Sequence, residues 1–407
     1  MDNISTLSAL DDNELTVFGF VDSIEPSEVN NKYSRLNVIF DSASVEKVIE
    51  SNGVAESYDD VYIIRMMTTT KRFKKRFNIN PGNIKEGEWY KITLKTRKGE
   101  PPAWILSNVN NFSGPYKRTN VIKFEKVDEN TTVGTNGQLA LDSLDSMCNF
   151  IPQNPIIRQS NFFVHNSEDI FVRKVDVGQG CCATFHTDKD TDSEIIGYYD
   201  VGFPLPFNKK TFPPKFVEDS RVPDRGFILL SHWDYDHYYL ALSISKKLQT
   251  LTWFAPLQPG GVMATVFKKN LGANLHIVTA PRLSFDNNIE YIRSTYVGSD
   301  LNNSGYYIRI IYKQYVALMA GDIDYTYIAA ADKININALA ISHHGGKGSN
   351  NPPACSSVLG YAVVSYGYDN SYHHPYDANI KEHHVVGWTV LSTAETSSLP
   401  RGDRWLY

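Results

Sequence analysis

His232-Trp233-Asp234-Tyr235-Asp236-His237 sets four metal-capable side chains in six residues, directly after the apolar run Phe227-Ile228-Leu229-Leu230. An apolar run followed by Ser231 reads as a buried strand ending in a loop, where a rigid scaffold can hold an exposed site. Alternation along the loop sets His232, Asp234 and Asp236 on one side, with His237 next to them. Imidazole and carboxylate together suit zinc, manganese or iron, and the tight spacing lets one segment serve two ions. The plain alternative is a polar loop whose histidines cap their neighbours; a His-x-Asp-x-Asp-His cluster after a strand favours ligation.

The C-terminal half repeats this pattern of short apolar strand and ligand-bearing tip. Val175-Asp176-Val177-Gly178-Gln179-Gly180 ends one strand, and the run from Ile195 to Asp200-Val201-Gly202 ends another. Val316-Ala317-Leu318-Met319-Ala320 delivers Gly321-Asp322, and Ala338-Leu339-Ala340-Ile341-Ser342 delivers His343-His344-Gly345-Gly346. Tyr361-Ala362-Val363-Val364-Ser365 leads to Tyr366-Gly367 and the loop holding His373-His374-Pro375.

In that order, Val-Asp-Val-Gly-Gln-Gly, Asp-Val-Gly, Ser-His-x-Asp-x-Asp-His, Asn-Asn-x-Ser, Ala-Gly-Asp, Ser-His-His-Gly and His-His-Pro, the chain resembles the metallo-β-lactamase superfamily. Within it the chain looks like the branch that forms the C-terminal domain of DNA-uptake competence channel proteins. The match runs from about Asn161 to the C-terminus. It implies an α/β fold, an αββα sandwich with a two-metal site on one edge. Two departures stand out: Asp234 takes the place of the second histidine in the common His-x-His-x-Asp-His motif, and the separate histidine of many members is replaced by Asn302-Asn303-Ser304. Cys181 also stands where the competence branch usually has an acidic residue.

Carried over residue by residue, the resemblance implies His232 and Asp234 as ligands of one ion and Asp236 and His237 as ligands of the other. Asp322 would bridge them, and His343 would be the ligand from the late strand. Asp200 would orient a ligand histidine through its free ring nitrogen, with Asn302 and Ser304 beside the first ion. Asp236 would also orient the nucleophile, and His374 or His344 would protonate the departing oxygen. The cofactors implied are two divalent ions, manganese or zinc with magnesium as an alternative; the added carboxylate shifts preference from zinc toward manganese or magnesium. Tandem His383-His384 reads as a solvated loop.

At 407 residues the chain has room for two domains, and a net charge of -5 argues against a wholly basic nucleic-acid coat while allowing a local patch. Cys148, Cys181, Cys182 and Cys355 have no metal-finger spacing, which fits a reducing cytoplasm. Met1-Asp2-Asn3-Ile4 lacks the features of a signal peptide, and no apolar run reaches a membrane-spanning length, so a cytoplasmic protein without a membrane partner is expected.

Residues 1–115 read as a small β domain, 116–155 as a linker with a short helix between Leu139 and Ile151, and 156–407 as the metallo-β-lactamase-like domain. Strands are expected at Leu15–Val21, Tyr33–Phe40, Val61–Met66, Trp89–Lys95 and Ala103–Val109, with a helical insert around Ser44–Glu50 and closure near residue 113. This strand count is compatible with an oligonucleotide-binding type of barrel. Lys71-Arg72-Phe73-Lys74-Lys75-Arg76-Phe77 interleaves cations and aromatics. On a strand or hairpin tip it would lay charge along phosphates while its rings stack on bases; otherwise it is a solvated basic turn. Asp128 to Gly137 reads as linker. The expected function is a metal-dependent phosphodiesterase or nuclease acting on DNA or RNA, with the N-terminal module holding nucleic acid or a protein partner. Hydrolysis of a small nucleotide or ester, and a non-catalytic subunit with a vestigial metal site, are the alternatives.

Overall fold

The computed structural model describes residues 14–27, 35–50, 61–96, 101–107, 116–127, 169–189, 194–213, 222–285, 288–346 and 348–406, with a few positions between 143 and 162. The chain divides into two compact units, Met1–Phe150 with Pro259–Asn270, and Ile151–Gln258 with Leu271–Tyr407.

The first unit is a closed antiparallel barrel. Its strands are β1 (Leu15–Ser27), β2 (Arg35–Ser44), β3 (Val61–Thr69), β4 (Trp89–Lys95), β5 (Pro102–Ser107) and β6 (Lys117–Lys126), in the order β1-β2-β3-β5-β6-β4. Every second residue points inward, so Val17, Val38, Phe40, Ile64, Ile92, Leu94 and Ile105 fill the interior. Closure does not come near residue 113: β6, which the sequence reading placed in the linker, bonds to both β4 and β5. Its mixed Lys-Arg-Thr-Asn-Val-Ile-Lys-Phe-Glu-Lys pattern conceals a strand whose Val121 and Phe124 are buried. The linker stretch Asp128–Gly137 and Cys148 lie outside the described residues; Ser143 and Ser146 are helical.

Helix α1 (Val45–Glu50) occupies the expected insert, and α2 (Thr70–Phe77) holds the basic cluster. The cluster is therefore helical, not a strand or hairpin tip. The Thr69 side chain accepts from Arg72 N at 3.2 Å, Asn78 closes the helix in the left-handed region at φ 56°, and Lys74, Lys75 and Arg76 sit favourably in the last turn. Phe73 is fully buried against Phe77 and Phe124, with ring centroids 5.0 and 5.1 Å away. Its ring cannot stack on a base, because it plugs the barrel.

Between two strands of the second unit the chain supplies α4 (Val262–Leu271), which clusters with the barrel. The buried Asp41 carboxylate of β2 accepts from Met263 N at 3.0 and 2.8 Å and from Ala264 N at 3.3 Å, so a helix N-terminus offsets its charge. A Cβ on Gly261 would lie 2.2 Å from Asp41 Oδ2, which explains the glycine. The segment 259–270 thus leaves the domain 156–407 drawn from the sequence, for a reason of packing that no local pattern encodes.

The second unit has two mixed sheets. The first contains β8 (Phe171–Lys174), β9 (Cys182–His186), β10 (Ile195–Val201), β11 (Phe227–Leu229), β12 (Thr252–Pro256), β13 (Leu275–Val278) and β21 (Arg404–Trp405), ordered β13-β12-β11-β10-β9-β8-β21. The second contains β7 (Asn161–Phe162), β14 (Arg282–Phe285), β15 (Ile289–Arg293), β16 (Tyr306–Tyr312), β17 (Tyr315–Met319), β18 (Ala338–Ala340), β19 (Tyr361–Val364) and β20 (Thr389–Ser392), ordered β20-β19-β18-β17-β16-β15-β14-β7. Each has a run of parallel strands buried on both faces, which is why those strands read as unbroken apolar runs.

One core joins the inner faces, with Phe185, Tyr199, Leu229 and Phe254 from the first sheet and Phe285, Tyr291, Ile308 and Met319 from the second. Leu318, Leu339 and Ala362 point the other way, into a core with Trp388 and with Ile380 of α5 (Asp377–Val385). On the opposite side, Tyr198 and Cys182 share a small cavity with Leu240 of α3 (Tyr235–Ser243). Helices α3 and α5 thus pack on the outer faces of the two sheets. His383 is not in a solvated loop: it is fully buried on α5, its Nδ1 2.7 Å from Asn379 O and its Nε2 3.2 Å from Tyr325 Oη. Its neighbour His384 is exposed. Cys181, Cys182 and Cys355 are free thiols. No helix among the described residues is long and apolar enough to cross a membrane.

Candidate metal centre

The six tips read from the sequence lie at the ends of β8, β10, β11, β17, β18 and β19 in the second unit. After β11, Leu230 and Ser231 lead to His232 and to Asp234, whose backbone is extended, and α3 then starts at Tyr235. Asp236 and His237 therefore occupy the first helical turn, and the two-residue alternation read from the sequence stops at Asp234. A carboxylate in a first turn is favoured by the helix dipole.

Ser231 is the hub. Its N–H donates to Asp200 Oδ1 at 2.7 Å and its hydroxyl to Asp200 Oδ2 at 3.0 Å; Ser231 Oγ also lies 2.9 Å from His232 Nδ1 and 3.1 Å from His237 Nδ1. Asp200, in the left-handed region at φ 57°, brings Oδ2 to 2.9 Å from His237 Nδ1. The orienting contact proposed for Asp200 is thus present, and it falls on His237. His344 Nδ1 is 2.7 Å from Ser365 O. Each of these three imidazoles has one nitrogen anchored, which fixes the ring and leaves Nε2 for another partner.

The Nε2 atoms converge on carboxylates. His232 Nε2 is 3.3 Å from Asp234 Oδ2, His237 Nε2 is 3.2 Å from Asp322 Oδ1 and 3.8 Å from Asp236 Oδ1, and His344 Nε2 is 3.1 Å from Asp236 Oδ2. His232, His237 and Asp322 bring one donor atom each within 4.8 Å of one another, as do Asp236, His237 and His344. His232 Nε2, His237 Nε2 and Asp234 Oδ1 are buried and make no hydrogen bond. A buried polar atom left so is costly, and a cation among His232, His237 and Asp322 would satisfy the two imidazole nitrogens.

The electrostatics agree. Burial alone would lower His237, but Asp322 and Asp200 reverse this and raise it well above the ordinary imidazole value. Burial alone would raise Asp322, but the charges of His237 and His343 hold it well below the usual carboxylate range. Asp236 is likewise lowered, the contact with His344 and the charge of His237 outweighing burial, whereas burial prevails at Asp234 and raises it.

At the end of the late strand β18 both histidines lie near the candidate ligands. His343 Nε2 is 3.7 Å from Asp322 Oδ2, and its side chain is 15 % exposed; His344, at 3 %, joins the donor group of Asp236 and His237. Both residues sit in the left-handed region, φ 48° and 53°, in a tight turn. His374 is buried beside them, its ring centroid 5.4 Å from that of His343 and 6.2 Å from that of His344.

Ser304 accepts from Gln258 Nε2 at 2.8 Å, Gln258 Oε1 accepts from Trp233 N at 3.3 Å, and Asn302 is buried. A Cβ on Gly305 would lie 2.4 Å from Ser231 O and 3.2 Å from His232 Cβ, so this turn abuts the His232 segment. Ser231 and Gln258 are site residues that sequence reasoning missed. Ser231 was signalled by adjacency to His232; Gln258 had no signal, since only tertiary packing brings it there.

No protein-family model and no curated protein sequence matches the chain. Among solved structures it is similar to the metallo-beta-lactamase fold protein YhfI from Bacillus subtilis, at 13% identity and TM-score 0.34, over 58% of this chain and 99% of that one. It is also similar to an E377D mutant of the CmlA beta-hydroxylase, at 12% identity and TM-score 0.27, over 62% of this chain and 50% of that one.

Proposed function

We propose that the chain is a metal-dependent hydrolase of the metallo-β-lactamase type that cleaves phosphodiesters of DNA or RNA. The supporting observation is the set of three imidazoles, each anchored at Nδ1, whose Nε2 atoms meet the carboxylates of Asp234, Asp236 and Asp322. His232, Asp234 and Asp322 would hold one divalent ion, and Asp236, His237, His344 and Asp322 the other. Bound there, two ions would activate a water and polarise the phosphate. Asp236, the most exposed of the carboxylates at 26 %, orients the attacking water, and Asp200 keeps the His237 ring in register. His343 and His374, beside this group, would protonate the departing oxygen.

The exposed cations of α2 support the nucleic-acid substrate. Neutralising Lys71, Arg72, Lys74, Lys75 and Arg76 together should raise the Michaelis constant for a polynucleotide. It should also flatten the logarithmic salt dependence of binding, by a slope of roughly one for each phosphate that is no longer neutralised. Turnover at saturation should change little, because such cations position the polymer. Unchanged salt dependence would make α2 a solvated helix and leave hydrolysis of a small ester as the better account.

Metal choice follows from Asp234. With a carboxylate in place of an imidazole, activity should be higher with manganese than with zinc, and Asp234→His should tighten zinc. A zinc-preferring wild type whose preference the substitution does not move would refute this assignment.

A further inference from the structure

Lys174 ends β8 and Cys181 stands just before β9; antiparallel pairing of the two strands, with Lys174 opposite Ala183, brings the side chains together. They are 3% and 5% exposed, and Lys174 Nζ lies 2.8 Å from Cys181 Sγ. Among the described residues that sulfur is the one hydrogen-bond partner of the lysine. A buried ammonium is ordinarily matched by a carboxylate. The nearby Asp200 carboxylate is instead taken up by Ser231 and His237. Burial works to lower Lys174, and the Cys181 sulfur outweighs it and raises the group. The neighbouring Cys182 thiol is pushed up by burial, which disfavours its reactive thiolate.

We propose that Lys174 and Cys181 form a redox modification site, at which peroxide joins Lys174 Nζ to Cys181 Sγ through one bridging oxygen atom. One peroxide molecule transfers an oxygen to Sγ, converting the thiol to a sulfenic acid and leaving water. The ammonium releases a proton. A second peroxide then takes two electrons from the sulfenic acid and amine together: the N–O bond forms, the amine and the sulfenic acid each give up one hydrogen, and the peroxide leaves as two waters. The protein gains one oxygen and loses two hydrogens from the thiol–amine pair. The gap between nitrogen and sulfur is one that a single oxygen spans, so the strands need not move. The link replaces a buried cation near Asp200 with a neutral bond, and it tethers the segment whose Cys181 N–H donates to Asp236 O at 2.9 Å.

The test is intact-mass measurement and peptide mapping of the full chain after hydrogen peroxide, before and after dithiothreitol. The expected result is a gain of one oxygen less two hydrogens, with the peptides of Lys174 and Cys181 joined and the link reversed by the reductant. Lys174→Met should instead let Cys181 proceed to sulfinic acid. Whole oxygens on Cys181 with Lys174 free, a Cys181–Cys182 disulfide, or an unmodified Cys181 when Cys355 has oxidised would each overturn the proposal. Mapping of the wild type alone decides it if the variant fails to fold. Because the readout is mass, the outcome does not depend on the hydrolytic activity.

Discussion

Asp322→Asn and Asp236→Asn should each reduce metal-dependent phosphodiester hydrolysis by more than about 10²-fold, beyond the roughly 10–100-fold cost of losing a group that only supports a ligand. Loss of Asp322 should be the more severe. Its carboxylate has a donor atom within 4.8 Å of donors from both His232 and His237, one from each half of the proposed centre. Asp236 meets His344 at 3.1 Å and His237 at 3.8 Å, both on one side of the proposed centre. Both substitutions keep the side-chain volume and sit at the end of β17 or in the first turn of α3, away from the cores, so far-ultraviolet dichroism and cooperative unfolding should persist. Kinetics with a small phosphodiester and manganese measure the effect; retained turnover in a folded Asp322→Asn protein would remove the two-ion mechanism.

Phe73→Ala should cost about 3–5 kcal/mol of stability, because it empties an aromatic site in the barrel interior. The neighbouring cations are exposed, and replacing any one of them should change stability by no more than about 0.5 kcal/mol. Chemical denaturation of the full chain compares the two. A mild effect of Phe73→Ala on stability together with a large one on nucleic-acid binding would restore the ring to a base-stacking role.

These two cases show what the sequence made legible. Asp236 and Asp322 stood out because apolar runs ended at them, and a strand end is where the sandwich presents groups to its edge. That His344 is the more buried of the two adjacent histidines and groups with Asp236 and His237 was not legible, since it depends on two consecutive left-handed residues in one turn. Lys71 to Phe77 was visible as a cluster, but its period was obscured by cations on nearly every position, so a helix with an inward Phe73 read as a strand with outward rings. The strand Lys117–Lys126 was hidden by a polar outer face, and the pairing of Asp41 with the start of α4, more than two hundred residues later, follows only from packing.

The central claim is that this cluster holds two divalent ions, and a calorimetric titration of the metal-free protein with manganese tests it most directly. Two ions should bind to the wild type and raise its unfolding temperature, by about 2.7 kcal/mol of stabilisation for a site at one hundred times its dissociation constant; Asp322→Asn should weaken both ions. Absence of binding, with no shift in unfolding temperature, would contradict the account.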